Sequence, residues 1–123
     1  MDKAELLERT KIFSLRILKV TDALPKATSA RAIGNQLIRS ATSIGANYRA
    51  ASRARSHAEF AAKIGTVAEE ADETIYWLEL LSYGGIVPAA KLQPLMREAN
   101  ELTAIFTSAR RTSSRNQTSN IKP

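Results

Sequence analysis

From Leu92 onward the apolar residues Leu92, Leu95, Ala99, Leu102, Phe106 and Ala109 recur at spacings of 3, 4, 3, 4 and 3. Side chains at that period share one side of an α-helix, whereas a strand sorts its side chains by alternation. The same period organises three earlier stretches. Leu6, Phe13, Ile17, Val20 and Leu24 form a first stripe with one long gap, and Ile33, Leu37, Ala41, Ile44, Tyr48 and Ala51 form a second. Phe60, Ile64, Val67, Ala71, Ile75 and Leu78 form a third. No strand-like alternation occurs between them. Four amphipathic helices must bury four stripes against one another, and this is the strongest constraint on the fold.

Local signals set the expected helix ends. Asp2, with Glu5 three residues on, has the spacing of a capping box and starts helix one, from about Lys3 to Ala23. Leu24-Pro25 ends it, because the residue before proline resists the helical region. Thr28 or Ser29 is the expected cap of helix two, from about Ala30 to Ser52. Ser56-His57-Ala58-Glu59 is a second capping-box match and restarts the chain as helix three. If that cap fails, segments two and three fuse and the chain has three helices. Gly84-Gly85 supplies a left-handed stop. Helix four starts between Pro88 and Pro94, and Pro94 argues for a late or kinked start. The short connections favour an antiparallel, up-down-up-down four-helix bundle over residues 1–111. Residues 112–123 are polar and without periodicity, and are expected to be a disordered tail.

A chain of 123 residues is one domain's worth. It has no cysteine, which excludes disulfides, thiolate metal sites and cysteine nucleophiles. The charged start Met1-Asp2-Lys3-Ala4-Glu5 has no apolar signal-peptide core behind it, and no apolar run has the length of a membrane span. A cytoplasmic protein that does not enter membranes is expected.

The net charge of +6 is unevenly placed. Residues 2–24 carry five basic and four acidic groups, and residues 25–55 carry six basic groups and no acid. Residues 56–84 carry one basic and six acidic groups, and residues 85–123 six basic and two acidic. The nets are +1, +6, −5 and +4. At about 100° per residue, Arg31, Arg39, Arg49 and Arg53 fall on the side of helix two opposite its apolar stripe. With Arg110 and Arg111 near the other end of the chain, Arg31, Arg49 and Arg53 are candidates for contacts to phosphate, which guanidinium forks suit. RNA or DNA is then the partner. Basicity that serves solubility alone is the plain alternative. On helix three, Asp72, Glu73, Tyr76, Leu80 and Tyr83 mix acids with large apolar groups on the outer side, the composition of half an interface. A basic face meeting an acidic face is a heterologous contact between copies, which closes into a ring when the rotation permits. Gly34, Ala41, Gly45 and Ser52 make a smooth line on helix two where another helix can approach.

His57 is the only histidine, and its neighbour Ser56 faces a different way on a helix. Glu69, Glu70, Asp72 and Glu73 lack the Glu-x-x-His repeats of a di-iron bundle. There is no phosphate-binding glycine loop, dinucleotide fingerprint or zinc motif. The expectation is a protein that is not an enzyme, with no cofactor and no metal.

Three runs carry a resemblance: Gly34 to Arg49, with its Arg39-Ser40-Ala41-Thr42-Ser43-Ile44-Gly45-Ala46-Asn47 core; Arg53 to Phe60; and Glu70 to Leu80. Over residues from about 5 to 111 the chain resembles the bacterial four-helix-bundle proteins, also called 23S-rRNA intervening-sequence proteins. It is more distantly similar to the accessory protein of diversity-generating retroelements, a basic protein of similar fold that binds nucleic acid and a reverse transcriptase. The resemblance implies a homo-oligomer, typically a homopentamer, with no known catalytic activity. It implies structural roles for Arg39, Gly45 and Asn47, with Arg39 and Asn47 tying helix two to its neighbours. Relatives often have Glu where this chain has Ala50, so any role of that acid is missing here. Two functions follow as expectations: a homo-oligomer that binds nucleic acid through helix-two and C-terminal arginines, or a protein-interaction scaffold or accessory subunit with no nucleic-acid role.

Overall fold

The computed structural model describes residues 1–121, with side chains through Arg115. Its elements are α1 (Lys3–Asp22), α2 (Thr28–Ser52), α3 (His57–Tyr83) and α4 (Ala89–Ile121), and no strand occurs among the described residues.

The caps explain the breaks. The Asp2 carboxylate accepts from the Glu5 amide at 2.8 Å, and the Ser56 hydroxyl accepts from the Glu59 amide at 3.0 Å. Each satisfies one of the amides that a helix start leaves without an intrahelical partner. The Ser56 cap separates α2 from α3, and the three-helix alternative falls. After Tyr83 the Ile86 amide donates to the Leu81 carbonyl and the Gly85 amide to Ser82, both at 3.0 Å. This is a Schellman stop, and its left-handed residue is Gly85, at φ +71°.

Three expectations about the ends need correction. Thr28 and Ser29 lie inside α2, and the residue at the cap is Ala27, which makes no side-chain cap. Residues 25–29 are all exposed, so water serves the first amides and the helix starts early. Helix four starts at Ala89, inside the expected range between Pro88 and Pro94 but ahead of the late start that Pro94 suggested, and Pro94 sits in its second turn. The α4 helix also runs across the boundary at Thr112 and reaches Ile121. The reason is in the register: Ser113 follows Ala109 by four residues, occupies the next seam position, and is buried. Lys122 and Pro123 of the expected tail lie outside the described residues.

Paired residues give the topology. Gly45 faces Thr10 and Gly34 faces Leu24 across α1 and α2. Arg39 meets Glu70 and Ser40 meets Thr74 across α2 and α3. Arg110 meets Glu69 and Ser113 meets His57 across α3 and α4. Across α1–α2 and α3–α4 later residues of one helix meet earlier residues of the other, and α2 and α3 pack extensively after a connection of only Arg53 to Ser56, so sequential neighbours are antiparallel. The α1–α2, α2–α3 and α3–α4 seams are extensive, whereas α1 meets α4 only lightly.

The core holds Phe13, Ile17, Leu37, Ile44, Ile64, Leu78, Leu81, Leu92, Leu102 and Phe106, all fully buried. Each such side chain contributes about 1.5–3 kcal/mol relative to exposure. Phe106 packs on Tyr48 with ring centroids 5.2 Å apart. Val20, Leu24, Ile33, Phe60, Ile75 and Ala109 lie half-buried at the core's edge. The gap in the first stripe is filled by Thr10, which is buried and donates its hydroxyl to the Leu6 carbonyl at 2.9 Å. Between α2 and α3 the Ser40 and Thr74 hydroxyls, both fully buried, lie 3.0 Å apart.

Candidate functional site

The outward line of α2 faces the side where α1 lies. Near the α2 N-terminus, Arg31, Asn35 and Ile38 line a depression of about 370 Å³ with Asp22 and Lys26. Near its C-terminus, Thr42, Arg49 and Arg53 line a groove of about 490 Å³ whose other wall is Leu7, Lys11 and Leu15 of α1. Arg31, Arg49 and Arg53 are exposed and form no ion pair among the described residues. Arg31 and Arg49 are 18 residues apart, about 27 Å along the helix, so they serve opposite ends of the line. Between them Thr42 turns its hydroxyl back to the Ile38 carbonyl at 2.7 Å.

Arg39 does not belong with them. Its guanidinium reaches across to α3, where it pairs with Glu70 at 3.1 Å and also with Glu73. The fork therefore ties α2 to α3. The side chain is half exposed, which holds each pair to about 1 kcal/mol or less. Asn47 makes no such tie: its amide donates to the Ser43 carbonyl and hydroxyl at 2.9 and 2.8 Å, within α2. At Gly45 an added Cβ would stand 3.4 Å from the Thr10 hydroxyl, so the smooth line on α2 is where α1 packs closely.

The C-terminal arginines occupy the same end of the bundle as Arg49 and Arg53 but line other grooves. Arg110 lies against Gly65 on α3 and pairs with Glu69 at 3.5 Å. Arg111 and Arg115 are exposed and without an ion pair among the described residues. Arg110, Arg111, Ser114 and Arg115 surround an open depression of about 540 Å³.

On α3, Tyr76 is 52% exposed and Tyr83 82% exposed, with Asp72 exposed beside them. Leu80 is half-buried, and Glu73 is taken by Arg39. Trp77 turns to the core's edge and stands edge-on to Tyr76, with centroids 5.0 Å apart.

Two features escaped the sequence. Ile12, Leu15 and Leu18 of α1 are exposed, at 46%, 54% and 36%. The signal was present: at about 100° per residue Leu15 and Leu18 lie roughly 140–200° from Phe13, off the buried stripe. Arg9 of α1 forks onto Glu98 of α4 at 2.6 and 2.7 Å and also reaches Glu101 at 3.3 Å. Its hydrogen bonds to the Glu98 carboxylate raise its pKa further above the ordinary arginine value.

His57 and Ser56 are not paired with each other. The Ser56 hydroxyl caps α3, and His57 Nε2 stands 3.0 Å from the Ser113 carbonyl. Burial pushes the Tyr48 phenol above its ordinary pKa. Among the described residues no group of three His, Asp or Glu side chains is placed to hold a metal, and no helix is long and apolar enough to cross a membrane.

A family model described as "23S rRNA-intervening sequence protein" matches residues 2–108. The fold is similar to the crystal structure of a protein of unknown function from the S23 ribosomal protein family of Bacteroides thetaiotaomicron. The two chains are 30% identical, the TM-score is 0.82, and the match covers 90% of this chain and 99% of that one. No curated protein is significantly similar to it.

Proposed function

Since this chain belongs to the 23S rRNA-intervening sequence protein family, we propose that it is a non-catalytic, homo-oligomeric bundle that binds nucleic acid in the cytoplasm. The observation that carries the reading is a set of cations without internal counterions: Arg31, Arg49, Arg53 and Arg111 are exposed and unpaired among the described residues. Exposed guanidinium groups kept apart from carboxylates are placed for phosphate. The distant likeness to the basic accessory protein of diversity-generating retroelements accords with it. A homopentamer, the assembly typical of the resembling proteins, would repeat Arg31 and Arg111 around one particle.

The test is binding of labelled single-stranded RNA and DNA oligonucleotides across a salt series. Four phosphate contacts give a log–log salt slope of about −3. R31E/R53E should weaken binding and flatten that slope, and R110E/R111E should do the same. Failure to bind either polymer at low salt refutes the reading.

The exposure of Tyr76 and Tyr83 favours a second reading, a protein-interaction scaffold without a nucleic-acid role. It predicts an assembly indifferent to R31E/R53E and no oligonucleotide binding.

A further inference from the structure

Once the internal ion pairs are assigned, α3 retains one ordered stripe that nothing in the chain covers. Glu70 and Glu73 go to Arg39, and Glu69 goes to Arg110. What remains is Asp72, Tyr76, Glu79 and Tyr83, spaced 4, 3 and 4, so they share one narrow line of the helix. Neither acid has an ion-pair partner among the described residues, and both tyrosines are more than half exposed. The stripe is about 17 Å long, from 11 residues of helical rise.

The α1–α2 groove is its complement. Leu7 and Leu15 give it an apolar floor and rim, and Leu18, exposed beyond it on the same side of α1, carries the apolar row to 11 residues of rise, about 17 Å. Lys11, Arg49 and Arg53 bring three cations to it, and no acid lines it. The groove and the stripe lie on different helices and do not meet within one chain.

We infer that the α1–α2 groove of one copy seats the Asp72-Tyr76-Glu79-Tyr83 stripe of a second copy. Charge selects this pairing over its symmetric rivals. Two grooves face to face would oppose Lys11, Arg49 and Arg53 with themselves, and two stripes would oppose Asp72 and Glu79 with themselves. Only groove against stripe brings opposite charges together with tyrosines over leucines. Each copy then offers one groove and one stripe, a head-to-tail contact that repeats until it closes. The inference deepens the homo-oligomeric part of the function proposed above and rests on it. It also makes assembly and polyanion binding exclusive at Arg49 and Arg53, since both need the same guanidinium groups.

The test is a charge-swap experiment read by size-exclusion chromatography with light scattering, in nuclease-treated protein. The parent should run as a multimer. R49E/R53E and D72K/E79K should each fall to the 13.5 kDa subunit. An equimolar mixture should reassociate into species larger than either variant alone, with the two alternating, because each variant's altered surface now matches the other's and a ring of odd number cannot close on that alternation. A parent that runs as a single subunit, variants that keep the parent's mass, or a mixture that stays dissociated each overturn the inference. Circular dichroism confirms that the variants are folded. If charge reversal unfolds either one, Y76S/Y83S and L15S/L18S keep the charges and must each dissociate the parent, or the inference fails. The nucleic-acid reading is scored apart from this, on R110E/R111E, whose residues lie outside the groove. Loss of oligonucleotide binding there should leave the mass unchanged. A labelled oligonucleotide added to the parent should release subunits, and a parent multimer that binds it through Arg49 and Arg53 without releasing any refutes exclusivity.

Discussion

The buried pair Ser40 and Thr74 offers a quantitative test of how α2 is registered on α3. Thr74→Val keeps the shape and nearly the helix preference of threonine and removes one hydroxyl. The Ser40 hydroxyl is then left with the Leu37 carbonyl at 3.3 Å as its remaining partner. A buried hydrogen bond contributes about 0.5–1.5 kcal/mol net, so T74V should cost about 1 kcal/mol. Ser40→Ala loses the same contact, but Thr74 keeps the Glu70 carbonyl at 2.8 Å. Alanine also returns about 0.5 kcal/mol of helix preference, which leaves a net cost of about 0.5. Simple addition would put the double variant at about 1.5 kcal/mol. With both hydroxyls gone, however, neither leaves an unmet partner, and the double variant should cost about 0.5–1 kcal/mol. The coupling is therefore about 0.5–1 kcal/mol. Urea unfolding of all four chains at one subunit concentration, followed by circular dichroism, measures it. Additivity to within about 0.3 kcal/mol would refute the reasoning.

Two more predictions concern single side chains. Arg9→Met removes the main polar strut between α1 and α4 and leaves the Glu98 carboxylate, whose side chain is only 15% exposed, without its fork. It should destabilise the protein by about 1–3 kcal/mol and speed hydrogen exchange in the first half of α1 above all; uniform acceleration over the four helices would contradict this. Tyr48 is held neutral by burial, so its stabilising share is full below the ordinary tyrosine pKa of about 10 and is lost as pH rises through its raised value. Tyr48→Phe should remove the most alkaline component of the tyrosinate absorbance titration and make the alkaline fall in stability shallower, and an unchanged titration would count against the assignment.

Legibility in the sequence followed the range of the interaction. The Asp2 and Ser56 caps and the Gly84-Gly85 stop act within a few residues, and the spacing of their residues placed them. The four stripes were legible because burial repeats at the helical period, while Thr10, Ser40 and Thr74 were hidden, since a hydroxyl that bonds its own helix reads as polar in a list of residues. Ser113 was missed for the same reason, and with it the continuation of α4. The pairing of charges was not legible. Arg39 lies on the same line of α2 as Arg31 and Arg49, and only the lateral position of α3 shows that it reaches Glu70 and Glu73. The helical period sets Leu15 and Leu18 off the buried stripe, but that Leu15 walls a groove shared with Arg49 and Arg53 depends on how α1 packs on α2, which no local pattern encodes.

The Arg39 fork has an effect beyond its own energy. By drawing two acids of α3 toward α2, it removes the one arginine of the line that stands nearest to them and cancels charge only at the inner seam. The cations that α2 has left over lie on its α1 side, and the acids Asp72 and Glu79 are left over on α3. The α2–α3 pair is thereby polarised across its width. A field of that kind turns approaching copies before they touch, biased toward unlike sides, and its reach shrinks with the Debye length, about 10 Å at 0.1 M salt. The rate at which subunits find one another should therefore fall with ionic strength more steeply than the strength of the contact they finally make.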